Sequence, residues 1–149
     1  MRLWVFGMIS FLMLAGCGQD TSTSSPSGSS SHPSQILKYQ KVDFNEIPTQ
    51  VENLVRQFTI PGRSTNQPVL LTKNLNGKMY IFISRGLVPT SGYDVSVTKV
   101  AQTENNIVIY YKFTNPKPGE VLANHSNMDY TIVVIPMRNL PVVFVGAAS

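Results

Sequence analysis

The chemically capable residues of this 149-residue chain are few: one cysteine, two histidines and eight carboxylates. Cys17, as thiolate, is the strongest nucleophile among them. Being alone, it can form no disulfide within the chain and no thiolate metal site. A hydrolase needs a nucleophile, a base and an orienting acid that converge from separate elements. Asn124-His125-Ser126 with Asp129 comes nearest to such a set. These residues are neighbours in sequence, and no serine sits in a Gly-x-Ser-x-Gly elbow. They read as a polar loop before a strand. The acids Asp20, Asp43, Glu46, Glu52, Asp94, Glu104, Glu120 and Asp129 are scattered, and no two are placed to flank a glycosidic bond. GxGxxG, Walker, paired CxxC and HExxH motifs are all lacking. The expectation is a non-catalytic protein that uses no cofactor and no metal.

The chain opens with Met1-Arg2, runs apolar from Leu3 to Leu14, and turns polar after Cys17. One basic residue, a short apolar run and small residues at a cleavage point describe a secretory signal. The apolar run is about a dozen residues, short of the ~20 a membrane-spanning helix needs. Leu14-Ala15-Gly16-Cys17 resembles the bacterial lipobox. The resemblance implies that residues 1–16 are a signal peptide, cut just before Cys17. It further implies that the Cys17 thiol receives a diacylglycerol and that the new amine is acylated, commonly with palmitate. Two acyl chains anchor stably where one binds marginally. The implied location is the extracytoplasmic face of a cell membrane, held by the lipid on Cys17. An uncleaved anchor, or an ordinary signal with a chance cysteine, are the other readings of these residues.

Gly18 to Gln35, GQDTSTSSPSGSSSHPSQ, cannot build a core. Residues 17–35 are therefore expected to form a lipidated, Ser/Thr-rich disordered tether, with His32 solvated inside it. Its root-mean-square reach is about 23 Å, and about 60 Å if stretched. The formal charge of +4 is modest and unclustered, which argues against a nucleic-acid partner.

From residue 36 to 149 the composition supports one domain with a real core. Ile36 to Val42 reads as an opening strand. Thr49-Gln50-Val51-Glu52 fits a capping box, and Val51, Leu54, Val55 and Phe58 form one apolar helical stripe that Pro61-Gly62 ends. Val69–Leu75 and Lys78–Ile83 flank Asn76-Gly77, the strongest short hairpin signal. Arg85 to Gly92 reads as a Gly/Pro loop. Tyr93, Val95 and Val97 alternate with polar residues as a half-buried strand. Ile107 to Phe113, Thr131 to Ile135 and Val142 to Val145 read as further strands. The fold expected is α+β: a mainly antiparallel sheet of six or seven strands with one short helix, or a small sandwich carrying that helix. Contacts are expected mostly between sequence neighbours.

The segment Arg85-Gly86-Leu87-Val88-Pro89-Thr90-Ser91-Gly92-Tyr93, with the alternating strand after it, resembles the protease-complex subunit family whose C-terminal domain is called PrcB-like. Asn115-Pro116-Lys117-Pro118-Gly119-Glu120 stands where that family places a Pro-x-Pro-Gly turn, after a strand and before a closing β pair. The likeness covers about residues 40 to 147, and the single domain at 36–149 is read as PrcB-like. Ser91 replaces the first glycine of a Gly-Gly pair, and Met128-Asp129-Tyr130 stands where the family tends to place a proline. The resemblance implies a non-catalytic partner of a secreted serine protease, which it stabilises, assembles with or inhibits.

The same loop makes physical sense alone. Pro89 fixes its backbone, Gly92 reaches angles closed to other residues, and Tyr93 offers a flat face with a polar tip. Residues 85 to 93 are thus the candidate partner-binding segment, with Tyr93 more suited to bracing the core beneath it. The alternative reading is a structural or cell-wall-associated lipoprotein that has no protease partner.

Overall fold

The computed structural model describes residues 34–59, 66–124 and 127–147. Cys17, the signal and tether up to residue 33, the helix-ending Pro61-Gly62 and His125-Ser126 lie outside the described residues.

The described chain forms eight strands and one α-helix. The strands are β1 (Gln35–Leu37), β2 (Gln40–Lys41), β3 (Val69–Leu75), β4 (Lys78–Val88), β5 (Asp94–Gln102), β6 (Ile107–Thr114), β7 (Asn127–Pro136) and β8 (Val142–Ala147), with α1 (Thr49–Thr59) between β2 and β3. They make two four-stranded sheets, ordered β1-β5-β6-β8 and β2-β7-β4-β3. The fold is α+β and sandwich-like, as expected.

Two cores explain the sequence pattern. Met79, Ile81 and Ile83 of β4, with Val133 and Ile135 of β7, face the first sheet across the sandwich. Tyr80, Phe82, Ile132 and Val134 turn to the opposite side, where Val51 and Val55 of α1 cover them. The second sheet is thus buried on both faces, so its central strands read as unbroken apolar runs rather than alternations. The first sheet is covered on one side only, and Val95 and Val97 alternate accordingly.

The helix is short and rests on packing rather than propensity. Its first free N–H groups, on Val51 and Glu52, donate to the Pro48 carbonyl at 2.8 and 2.9 Å. The capping box expected at Thr49 does not form. Thr49 already lies inside the helix, and Glu52 pairs with Arg56 one turn on, at 2.6 Å. A pair this exposed contributes only about 0.3–0.5 kcal/mol.

Asn76 and Gly77 take φ values of 51° and 73°, as a two-residue type I′ hairpin requires. Long-range pairing departs from expectation. Among the described residues six strand pairings occur, and only β3–β4 and β5–β6 join sequence neighbours. The closing pair implied by the resemblance does not form. β7 enters the second sheet beside β4, while β8 returns to the first sheet parallel to β6. The opening strand splits as well: β1 pairs with β5, and after Lys38-Tyr39 the chain crosses over so that β2 pairs with β7. Arg85 to Val88, read as loop, continues β4 to Val88.

Candidate functional site

β4 runs straight from Lys78 to Ser84, then bulges. Ser84 pairs with Tyr130 and Gly86 with Asp129, so Arg85 is the extra residue. A bulge unpairs one residue and re-aims its side chain. Gly86 closes it at φ 94°, an angle that favours glycine. The Ser84 hydroxyl bridges the gap: it donates to the Asp129 carbonyl at 2.9 Å and accepts from the Gly86 N–H at 3.0 Å.

The freed Arg85 side chain reaches across to the first sheet. Its guanidinium donates to the Thr114 carbonyl at 3.2 Å and to Asn115 Oδ1 at 2.6 Å. The same group lies 4.8 Å from the centre of the Tyr93 ring and 5.5 Å from that of Phe113. Planarity and weak hydration suit a guanidinium to this double role of fork and stacking plate. Phe113 in turn meets Tyr111 edge-to-face, ring centres 5.2 Å apart. Arg85 is therefore a staple between the sheets, with Tyr93 bracing it.

The turn beyond is pinned to a second loop. Ser91 N–H donates to the Ala123 carbonyl at 3.0 Å, and Ala123 N–H donates to Ser91 Oγ at 2.9 Å. A glycine at position 91 could make only the first of these bonds, so the serine adds a tie of its own. Gly92 sits at φ 88°, and a Cβ there would stand 2.8 Å from Leu122 Cδ2 and 3.1 Å from Pro116 Cβ. Pro118 and Gly119 build the facing turn. Gly119 has φ 83°, Glu120 N–H donates to the Lys117 carbonyl at 3.1 Å, and Lys117 N–H donates to Glu120 Oε2 at 3.0 Å. Proline followed by a positive-φ glycine is the type II arrangement.

One carboxylate completes this end. Burial pushes the Asp129 carboxyl above its ordinary value, and the neighbouring Asp94 charge pushes the same way, against opposing pulls from Arg85 and Lys41. Its Oδ2 is buried with no hydrogen-bond partner among the described residues.

The candidate segment thus divides. Gly86 and Val88 are buried, Arg85 and Tyr93 are occupied with each other, and the Ser91 hydroxyl is engaged. Pro89 stands exposed and Leu87 and Thr90 are half-exposed, leaving a narrow ridge for contact. Sequence reasoning did not find Phe113, Asn115 or Asp94 here. The bulge that gathers them has one local signal, the glycine after Arg85. Among the described residues no group of three or more His, Cys, Asp or Glu could hold a metal, and no helix is long and apolar enough to cross a membrane.

Residues 79–136 match the family model described as PrcB C-terminal. No curated protein and no solved structure matches the chain. The matched stretch is narrower than the 40–147 likeness expected from sequence, and its limits are informative. It holds β7 and all of β4 but Lys78, the central pair of one sheet, and β5 and β6, the central pair of the other. Arg85, Tyr93, Phe113, Asn115 and Asp129 all fall inside it, whereas α1 and the edge strands β1, β2, β3 and β8 fall outside. Over this segment the chain is similar to the PrcB C-terminal family.

Proposed function

We infer that this protein is a lipoprotein tethered through Cys17 to the extracytoplasmic face of a membrane. Its PrcB-like domain binds rather than catalyses, and its partner is a secreted or envelope protease that it stabilises, assembles with or inhibits. The observation that carries this reading is the PrcB C-terminal match over 79–136. The stapled end of the sandwich supports it, because a rigid scaffold presenting a short ridge is the usual form of a protein-recognition loop.

Two measurements test the reading. Labelling of cells with a palmitate analogue should mark the protein and fail to mark Cys17→Ser. Affinity capture from envelope extracts should recover a protease, and Pro89→Arg with Thr90→Arg should lose it while keeping the melting temperature. Undiminished capture by that variant rejects the ridge as the contact. Sedimentation with purified wall that fades with salt, and no protease recovered, would favour a wall-associated role instead.

A further inference from the structure

A cleft of about 470 Å³ opens at the other end of β4, away from the Arg85 staple. Lys78 begins β4 and lines this cleft, whereas Arg85 lies seven residues along the strand, about 23 Å at 3.3 Å per residue. The walls come from the Lys38–Gln40 crossover, the Asn76–Gly77 turn and the last residues of β7.

The cleft exists because β2 is short. Gln40 pairs with Val134 and Lys41 with Val133. Continued one strand-length back, that register would lay Tyr39 beside Ile135 and Lys38 beside Pro136. Instead the chain has already crossed to the first sheet, where the Tyr39 hydroxyl donates to the Val97 carbonyl at 2.6 Å. Among the described residues no strand lies on the edge of β7 beside Pro136.

The backbone there can accept a hydrogen bond. Alternate residues of a strand direct their backbone groups to opposite sides. Ile132 uses its carbonyl on the β2 side, accepting from Val42 N–H at 3.0 Å. Met137 donates its N–H on the β4 side, to the Gly77 carbonyl at 2.9 Å. Pro136 therefore turns its carbonyl to the β2 side and, being proline, brings no N–H with it.

The lining chemistry selects an anion. Lys38 and Lys78 both line the cleft, and no carboxylate does among the described residues. Tyr39, Val134 and Pro136 supply apolar surface. A few placed polar groups on an apolar wall is the usual make-up of a ligand site. A chain added beside Pro136 cannot run on, because Gln40 of β2 already occupies the next position along β7. It must end there.

We propose that this cleft takes the C-terminal tail of a partner polypeptide with an apolar last residue. An N–H of the tail donates to the Pro136 carbonyl, as in strand addition. The terminal carboxylate lies against the Lys38 and Lys78 ammonium groups, and the last side chain rests on Tyr39 and Pro136. The site is independent of the protease reading and lies outside the stapled ridge.

The test uses the full chain and two synthetic probes, acetyl-Gly-Ala-Val-Leu with a free carboxylate and the same peptide as its amide. The acid should bind about five- to tenfold tighter than the amide, the value of two exposed charge contacts. Amide NMR shifts should concentrate on Lys38–Gln40 and Gly77–Met79. Lys38→Gln with Lys78→Gln should erase the difference between acid and amide, with the melting temperature kept. Equal binding of acid and amide, shifts centred on residues 85–93, or an acid preference that survives the double substitution would each overturn the proposal. Absence of binding by the acid at millimolar concentration would do the same.

Discussion

The two ends of the sandwich handle positive charge in opposite ways. At one end Arg85 is consumed by structure: two hydrogen bonds and two aromatic faces leave its guanidinium engaged. At the other, Lys38 and Lys78 line an open cleft with no carboxylate among its described walls. The residue types fit the roles. A planar fork loses little entropy when pinned, whereas a flexible, strongly hydrated ammonium suits a charge held ready for a ligand. The family match contains the first end and, from the second, only Val134, Ile135 and Pro136 of β7. Stapling therefore belongs to the matched core, and the cleft depends on the crossover that the remaining chain adds.

Damage to what the ends share should be largest. Ile81 is wholly buried between the sheets, midway along β4. Ile81→Ala should cost about 3–4 kcal/mol in chemical denaturation, and loosen both ends together. Arg85→Ala should cost about 2 kcal/mol through lost hydrogen bonds and ring contacts. Exchange of amide protons should then quicken around 89–93 and 114–123 while the cleft stays protected. Arg85→Lys should recover only part of that loss, because a single ammonium cannot serve both acceptors and stack. Equal effects of the two substitutions would remove the contrast between fork and point charge.

How much of this was legible depended on the range of the interaction. Asn76-Gly77 and the alternation of Val95 and Val97 are local devices, and they form where the sequence places them. The helical stripe holds too, although its start shifts because the Pro48 carbonyl, not the Thr49 side chain, takes the first N–H groups. Partners distant in sequence were invisible. Arg85 finds the Thr114 carbonyl 29 residues away, and nothing near either residue announces it. Unbroken apolar runs at Met79–Ile83 and Thr131–Ile135 mark burial on both faces but cannot say which sheet each strand joins. That ambiguity hid the separation of β7 from β8 and the parallel β6–β8 pair.

Smaller effects sharpen the comparison. Gly92→Ala should cost about 1–2 kcal/mol, since its φ of 88° disfavours a side chain and Pro116 crowds the Cβ. Asp129 tests the buried acid. Its carboxyl is raised above the ordinary 3.8, chiefly by burial. The folded state therefore binds its proton more tightly than the unfolded state. Its contribution to stability is full below pH 3.8 and is lost as pH rises through the folded value. Asp129→Asn should flatten the decline of melting temperature with pH above 3.8. An unchanged slope would show that another group sets it. Lys38→Gln and Lys78→Gln should change stability least, within about 0.5 kcal/mol. A larger loss would mean that these lysines are structural, like Arg85.

The central claim is that the ridge at the stapled end meets a protease outside the cell. A photo-crosslinking residue placed at Thr90, with a matched control at exposed Asn74 on β3, tests it most directly in intact cells. The account predicts a covalent adduct with a secreted protease from position 90 and none from position 74. Adducts of equal yield from both positions, or none containing a protease from position 90, would contradict it.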